Sequence, residues 1–274
     1  MIRQFMLTNV IGQTYNLNNK DSFLHNVKGL GQDHKATYVQ IGTQFVKEKD
    51  FLSQKNIQGK LYFATYKGFM EFSKFIQHKP LILTYTSADT YSIKVSIDKL
   101  EKTEKETGGL YCNIVLKSLG TYYKTITVEN SRDESETGKK YPFTYPYKYI
   151  DTASGVIIID SDSVLPSPIK ISIFGPCVNP SYAQIINDEI IATGKINTTI
   201  KSGKKIVIDT TQIPYSIAEY TINNTYVQNL YNKSDFSTDR FLTLKYGKNK
   251  INFVHESSEA LIVSVEAMIE YESV

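Results

Sequence analysis

Four histidines, two cysteines and a close pair of aspartates are the residues with which this chain could do chemistry. His25, His34, His78 and His255 lie far apart, and none has a cysteine or carboxylate at metal-ligand spacing. His255 and Glu256 are neighbours, but adjacent residues of a strand point to opposite faces and make a poor ligand pair. Asp160 and Asp162 in IIIDSDS share a face. Two such carboxylates could bind calcium or move protons, but the run has neither the further oxygen ligands nor the glycine and glutamate of a calcium loop. They read as strand-ending turn residues. No G-x-S-x-G elbow is present, and Gly29-Leu30-Gly31 lacks the third glycine that opens a phosphate-binding helix. Cys112 and Cys177 stand in apolar surroundings with no C-x-x-C partner and read as buried free thiols. The reading is of a protein with no catalytic residues, no metal and no cofactor.

A different pattern stands out in YPFTYPYKY. Tyr141, Phe143, Tyr145, Tyr147 and Tyr149 occupy every second position. An extended chain puts all five rings on one side. Pro142 and Pro146 remove backbone donors, so the segment cannot be a central strand. Five rings could bury roughly 150–250 Å² each, too much apolar surface to stand open without a partner. The row reads as a strap, packing its rings on the second domain or in the cleft between two domains. The other reading is a platform that stacks on sugar rings.

The surrounding elements are mostly strands. Arg3 to Val10 reads as a first strand and Tyr15 to Leu17 could return; Asp21 to Lys35 reads as mixed, with an irregular loop at Gly29-Leu30-Gly31. Thr37 to Lys47 and Ile57 to Thr65 suggest a long hairpin with its tip near Lys47 to Gln54. A single helix follows: Thr65 can cap it, Phe69, Phe72, Phe75 and Ile76 share one face, and it must stop before Pro80. Leu81 to Tyr85, Tyr91 to Ile97 and Leu110 to Leu116 continue the strands, with LEKTEKE at a strand end and turn. Glu129 to Lys140 is wholly polar apart from a glycine and suits a connection. Beyond it, short β-branched runs alternate with turn residues, as in a sandwich or jelly roll. There Lys201 to Lys204 reads as a hairpin turn and Tyr246 to Asn249 as a second tight connection.

A chain of 274 residues exceeds most single cores, so two domains are expected. The fold class is mainly β with little α: an N-terminal split barrel or sandwich over residues 1–128, a linker and aromatic strap over 129–150, and a C-terminal sandwich over 151–274. Residues 1–140 carry twenty Lys/Arg against fourteen Asp/Glu, whereas residues 141–274 carry eleven against fourteen. That asymmetry fits two units meeting different partners. A net charge of +3 is too small for a nucleic-acid binder. No stretch approaches the roughly 18 apolar residues of a membrane span, and the start lacks the apolar block of a secretion signal. The chain therefore reads as folded in a cytoplasm.

The order of features resembles one family. MIRQFML, then a GLG loop, a long hairpin, FMEFSKFI, KPLILTY, KLEKTEKETGG and LKSLGTYY follow one another as in the N-terminal domain of the distal tail (Dit) proteins of siphophages infecting Gram-positive bacteria. Ile57 to Tyr123 carries most of that similarity, with the paired aromatics after Leu119 at its end. In the second half, Pro168 to Pro176 with Val178-Asn179-Pro180, Gly203 to Asp209, and Tyr246 to Phe253 are similar to passages of the same kind of tail component. The resemblance implies a structural role: a homohexameric ring built by the N-terminal domain, and a galectin-like C-terminal sandwich. The implied partners are the tail tube protein, the tail-associated hub and receptor-binding or baseplate proteins, at a virion tail tip assembled in the bacterial cytoplasm. DNA would pass through the lumen without sequence-specific contact. It implies no catalytic residue. The alternative reading is a sandwich that binds cell-wall carbohydrate, and a weaker one is an enzyme acting on cell-wall polymers through generic carboxylates.

Overall fold

The computed structural model describes residues 3–32, 34–106, 108–130, 154–257 and 259–274. The expected linker beyond residue 130 and the aromatic row Tyr141, Phe143, Tyr145, Tyr147 and Tyr149 lie outside the described residues. The chain forms two compact units: residues 1–124 with 271–274, and residues 125–270.

The first unit contains β1 (Gln4–Thr8), β2 (Thr14–Asn16), β3 (Ser22–Lys28), β4 (His34–Ile41), β5 (Gln44–Leu52), β6 (Asn56–Phe63), α1 (Tyr66–Phe75), β7 (Leu81–Thr86), β8 (Thr90–Glu106), β9 (Gly109–Ser118) and the start of β10 (Tyr122–Glu129). Neighbouring strands are antiparallel in the order β2-β1-β7-β8-β9-β6-β3. The 17-residue β8 gives residues 90–95 to β7 and residues 95–106 to β9. One strand thus carries two ladders, and the sheet wraps a core of Leu7, Leu61, Phe63, Leu83, Ile93 and Val95. Gly29 makes one crossing possible. It sits at φ +86°, and a Cβ there would stand 2.1 Å from the Asn56 carbonyl oxygen.

The helix closes this core. Thr65 is extended and its hydroxyl accepts from the Gly68 N–H at 3.1 Å, as the sequence suggests. Phe72 and Phe75 are buried, with the Phe72 ring 5.0 Å from Tyr15 and 5.5 Å from Phe63. Opposite the apolar face, Lys67 and Glu71 stay in solvent.

Several local expectations are corrected. The long hairpin is not Thr37–Lys47 with Ile57–Thr65: β4 pairs with β5 and turns at Gly42-Thr43, while β6 pairs with β3 and β9. Lys49-Asp50 therefore lies within a strand. The stretch read as mixed holds β3, which buries Ser22 with Leu24 and leaves Phe23 exposed. Residues 100–106 stay in β8, and the turn comes at Gly108, where φ is +88°.

The second unit contains the end of β10, then β11 (Ser154–Ser161), β12 (Ser167–Phe174), β13 (Cys177–Val178), β14 (Ser181–Ile186), β15 (Glu189–Lys195), β16 (Thr199–Ile200), β17 (Lys204–Asp209), β18 (Ser216–Thr221), β19 (Tyr226–Asn229), β20 (Thr243–Leu244), β21 (Gly247–Val254) and β22 (Ile262–Tyr271). One sheet runs β19-β18-β17-β12-β22 and another runs β11-β21-β14-β15. Each buries one face through alternate residues: Ile169, Ile171 and Ile173 on β12, Val263, Val265 and Ala267 on β22, Ile157 and Ile159 on β11, Ile251 and Phe253 on β21. Lys201–Lys204 does turn the chain but is not a hairpin, because β16 pairs with β13 and β17 with β12. Tyr246–Asn249 is not a connection: the chain bends at Tyr246, and Gly247 to Asn249 already lie in β21, which pairs with β11 and β14 while β20 pairs with β12.

Candidate assembly interface

Apart from His34, the residues with chemical potential are placed singly. His25 lies beside Phe23 and Tyr111. His78 is exposed past the helix, and His255 is buried with Nε2 2.9 Å from the Glu259 carbonyl. Asp160 stands in β11 opposite Lys248. Among the described residues no three His, Cys, Asp or Glu side chains group as a metal site. Cys112 and Cys177 are buried free thiols, and burial pushes each up to about 11, away from thiolate chemistry at neutral pH. An open hollow of about 320 Å³ at the start of α1 is lined by Thr14, Asn19, Asp21, Lys67 and Glu71 among others, with no histidine or cysteine. No described helix is long and apolar enough to cross a membrane.

What the first unit does present is the β4–β5 ribbon. Among the described residues these two strands pair only with each other. Opposed pairs share a face. Val39–Val46 and Ile41–Gln44 line one side, and Tyr38–Lys47 and Gln40–Phe45 the other. Phe45 is 70% exposed, Ile41 64% and Tyr38 59%, with Val39 and Val46 also open. The ribbon thus shows apolar groups on both faces and two unpaired backbone edges. A lone two-stranded ribbon is marginal in water, and clustered exposed apolar groups mark interaction surfaces. Its register shifts between Thr37 and Tyr38, leaving Glu48 as an extra residue on β5.

The base of the ribbon is polar and tied. His34 Nδ1 lies 3.2 Å from Asp50 Oδ1, and its Nε2 lies 3.1 Å from Glu272 Oε2. Lys47 Nζ donates to Asp50 Oδ2 at 2.7 Å, and Gln32 donates to the same Glu272 oxygen at 2.9 Å. The Glu272 and then the Asp50 hydrogen bond raise His34 above its ordinary value, while Lys47, first among its partners, holds Asp50 below the usual carboxylate range. These exposed pairs position the ribbon more than they stabilise the fold. Sequence reasoning named His34 but missed its pairing with Glu272, 238 residues away. It also passed over Ile41 and Phe45, which the glycine between them could have marked as a turn's flanks.

The described residues thus form an extensively stranded fold with a ribbon that pairs with no other described strand. Comparison specifies it. Residues 4–119 match the family model described as the distal tail protein, N-terminal domain. The whole chain is similar to a chain of the phage P2 baseplate in its activated conformation with Ca, with a TM-score of 0.68 at 17% identity and both chains fully covered. The corresponding structure with Sr gives 0.68 at 16%. SPP1 Dit (gp 19.1), described as a paradigm of the hub adsorption apparatus in Gram-positive infecting phages, gives 0.65 at 10% identity, covering 99% of this chain and 100% of that one. At these identities the likeness to solved structures shows the fold. No curated protein matches in sequence. Residues 4–119 thus carry the N-terminal domain of the distal tail protein family.

Proposed function

We propose that six copies of this chain close a ring at the tail tip that joins the tail tube protein to the tail hub and offers receptor-binding proteins a place to attach. Residues 1–128 are the ring-forming part, 129–150 a connection that includes the strap, and 151–274 a galectin-like sandwich; assembly takes place in the host cytoplasm before the ring joins the virion. The observation that carries the reading is the β4–β5 ribbon with Tyr38, Ile41 and Phe45 in solvent. Its free edges and apolar faces are satisfied by a neighbouring copy, and a head-to-tail contact repeated around an axis closes a ring.

The test is the native mass and negative-stain image of the full chain, alone and mixed with tail tube and hub proteins. A six-fold ring of about six chain masses is expected in at least one of these mixtures. A monomer in all of them would sink the proposal.

For the aromatic row the reading remains a strap. Nitration of the intact chain is expected to spare Tyr141, Tyr145, Tyr147 and Tyr149 and to reach them after unfolding. Ready nitration of the folded protein, blocked by cell-wall polysaccharide, would favour the sugar platform instead.

A further inference from the structure

The hydrogen bonds at the ribbon's base require a particular charge state. A neutral imidazole has one N–H and one lone pair. His34 faces a carboxylate oxygen with each nitrogen: Asp50 Oδ1 on β5 and Glu272 Oε2 on the chain's last segment. Whichever nitrogen kept its hydrogen, the other would turn a lone pair toward an anion. Only the doubly protonated imidazolium satisfies both. Among the described residues, the other groups on these carboxylates are the Lys47 ammonium, on the far oxygen of Asp50, and the Gln32 amide, on the same oxygen of Glu272. Lys47 is committed to Asp50 from within β5 and does not reach across to Glu272 in any bond the structure shows. The link from ribbon to C-terminal segment therefore passes through His34 and through Gln32, which precedes β4.

We propose that His34 is a pH-operated clasp: charged, it fastens the base of the β4–β5 ribbon to Glu272, and neutral, it releases it. The raised proton affinity of His34 agrees with that geometry. The sign follows directly. A histidine whose folded proton affinity exceeds its unfolded one contributes fully below its unfolded value of about 6.5, and that contribution is lost as pH rises through the folded value. Asp50 is shifted down, so it stays charged until pH falls below the ordinary carboxylate range. The clasp is thus closed below the ordinary histidine value and opens as pH rises through the raised folded one. Through the ribbon it also sets the pH range in which ring closure is favoured, a consequence that rests on the ring reading above.

The experiment uses the full chain, diluted until sedimentation shows a monomer, so that ring contacts cannot protect the ribbon. Amide exchange of residues 35–37 and 49–52 is measured at pH 6 and pH 8.5 and corrected for intrinsic rates. Protection is expected to fall at least about threefold between the two. His34→Gln and Glu272→Gln should remove that difference by leaving the base loose at both values. His34→Arg, charged throughout, should remove it by keeping protection at both. Histidine-resolved NMR of the same samples should show both His34 nitrogens protonated at pH 6, with a midpoint that drops in Glu272→Gln. Equal protection at both pH values in the parent, or an undiminished pH response in His34→Gln, would overturn the clasp. Either result would leave the ring, read separately by mass, untouched.

Discussion

A chain carrying Ile41→Asp and Phe45→Asp folds like its parent and fails to assemble. The two positions flank the Gly42-Thr43 turn and fall on opposite faces of the ribbon, so one variant disables both. Each is more than 60% exposed. Surface changes of that kind move stability by no more than about 0.5 kcal/mol. At a contact the effect is far larger. Burying a Phe or Ile side chain is worth about 1.5–3 kcal/mol, and an aspartate placed there also has to be desolvated. Losing two such side chains weakens each contact by roughly a hundredfold or more. In a ring every contact carries the same defect, so closure fails well before any single contact vanishes. Native mass and urea unfolding of the double variant check the two halves of the expectation. Intact rings would remove the ribbon from the interface; an unfolded chain would show that the ribbon supports the fold.

The second large effect is on stability. Phe72→Ala removes the ring that α1 places against Tyr15, Phe63 and Phe75. The side chain is completely buried, so truncation leaves a cavity as well as losing transfer energy. Phe→Ala changes of this type cost about 3–5 kcal/mol, a large share of the roughly 5–15 kcal/mol that holds a domain folded. With a urea dependence of about 1–3 kcal/mol per molar, the midpoint of the first unit should fall by about 1 M or more. Amide exchange on β6 and β7 against urea follows that unit apart from the second. A midpoint within error of the parent would mean that the helix does not anchor this core.

Where one residue decides a feature, it could be read directly. Thr65 and the phenylalanine spacing set α1, and the alternating isoleucines of β12 set a strand whose inner face is buried. Where partners are distant, local signals misled. Thr37 to Lys47 alternates well, but an exposed ribbon accepts polar residues throughout, so Lys49-Asp50 imitated a turn while the single glycine at 42 made the real one. Phe23 points outward and Ser22 inward, which hides β3 from any search for buried alternation. A turn that leads to another ladder, as at Lys201–Lys204, is locally indistinguishable from a hairpin. The family was legible because it depends on the order of elements. The ribbon's anchorage was not, because it joins residues near opposite ends of the chain.

Those residues also impose a schedule. Tyr271, with its ring 5.2 Å from Tyr91, and Glu272, bonded to His34, belong to the first unit although residues 125–270 are made before them. Domains fold as the ribosome releases them, N-terminal part first. The first unit can gather its strands and helix early, but these last contacts must wait until translation has passed through the whole second unit. A nascent chain thus holds its ribbon unfastened until Glu272 has been made and can reach His34.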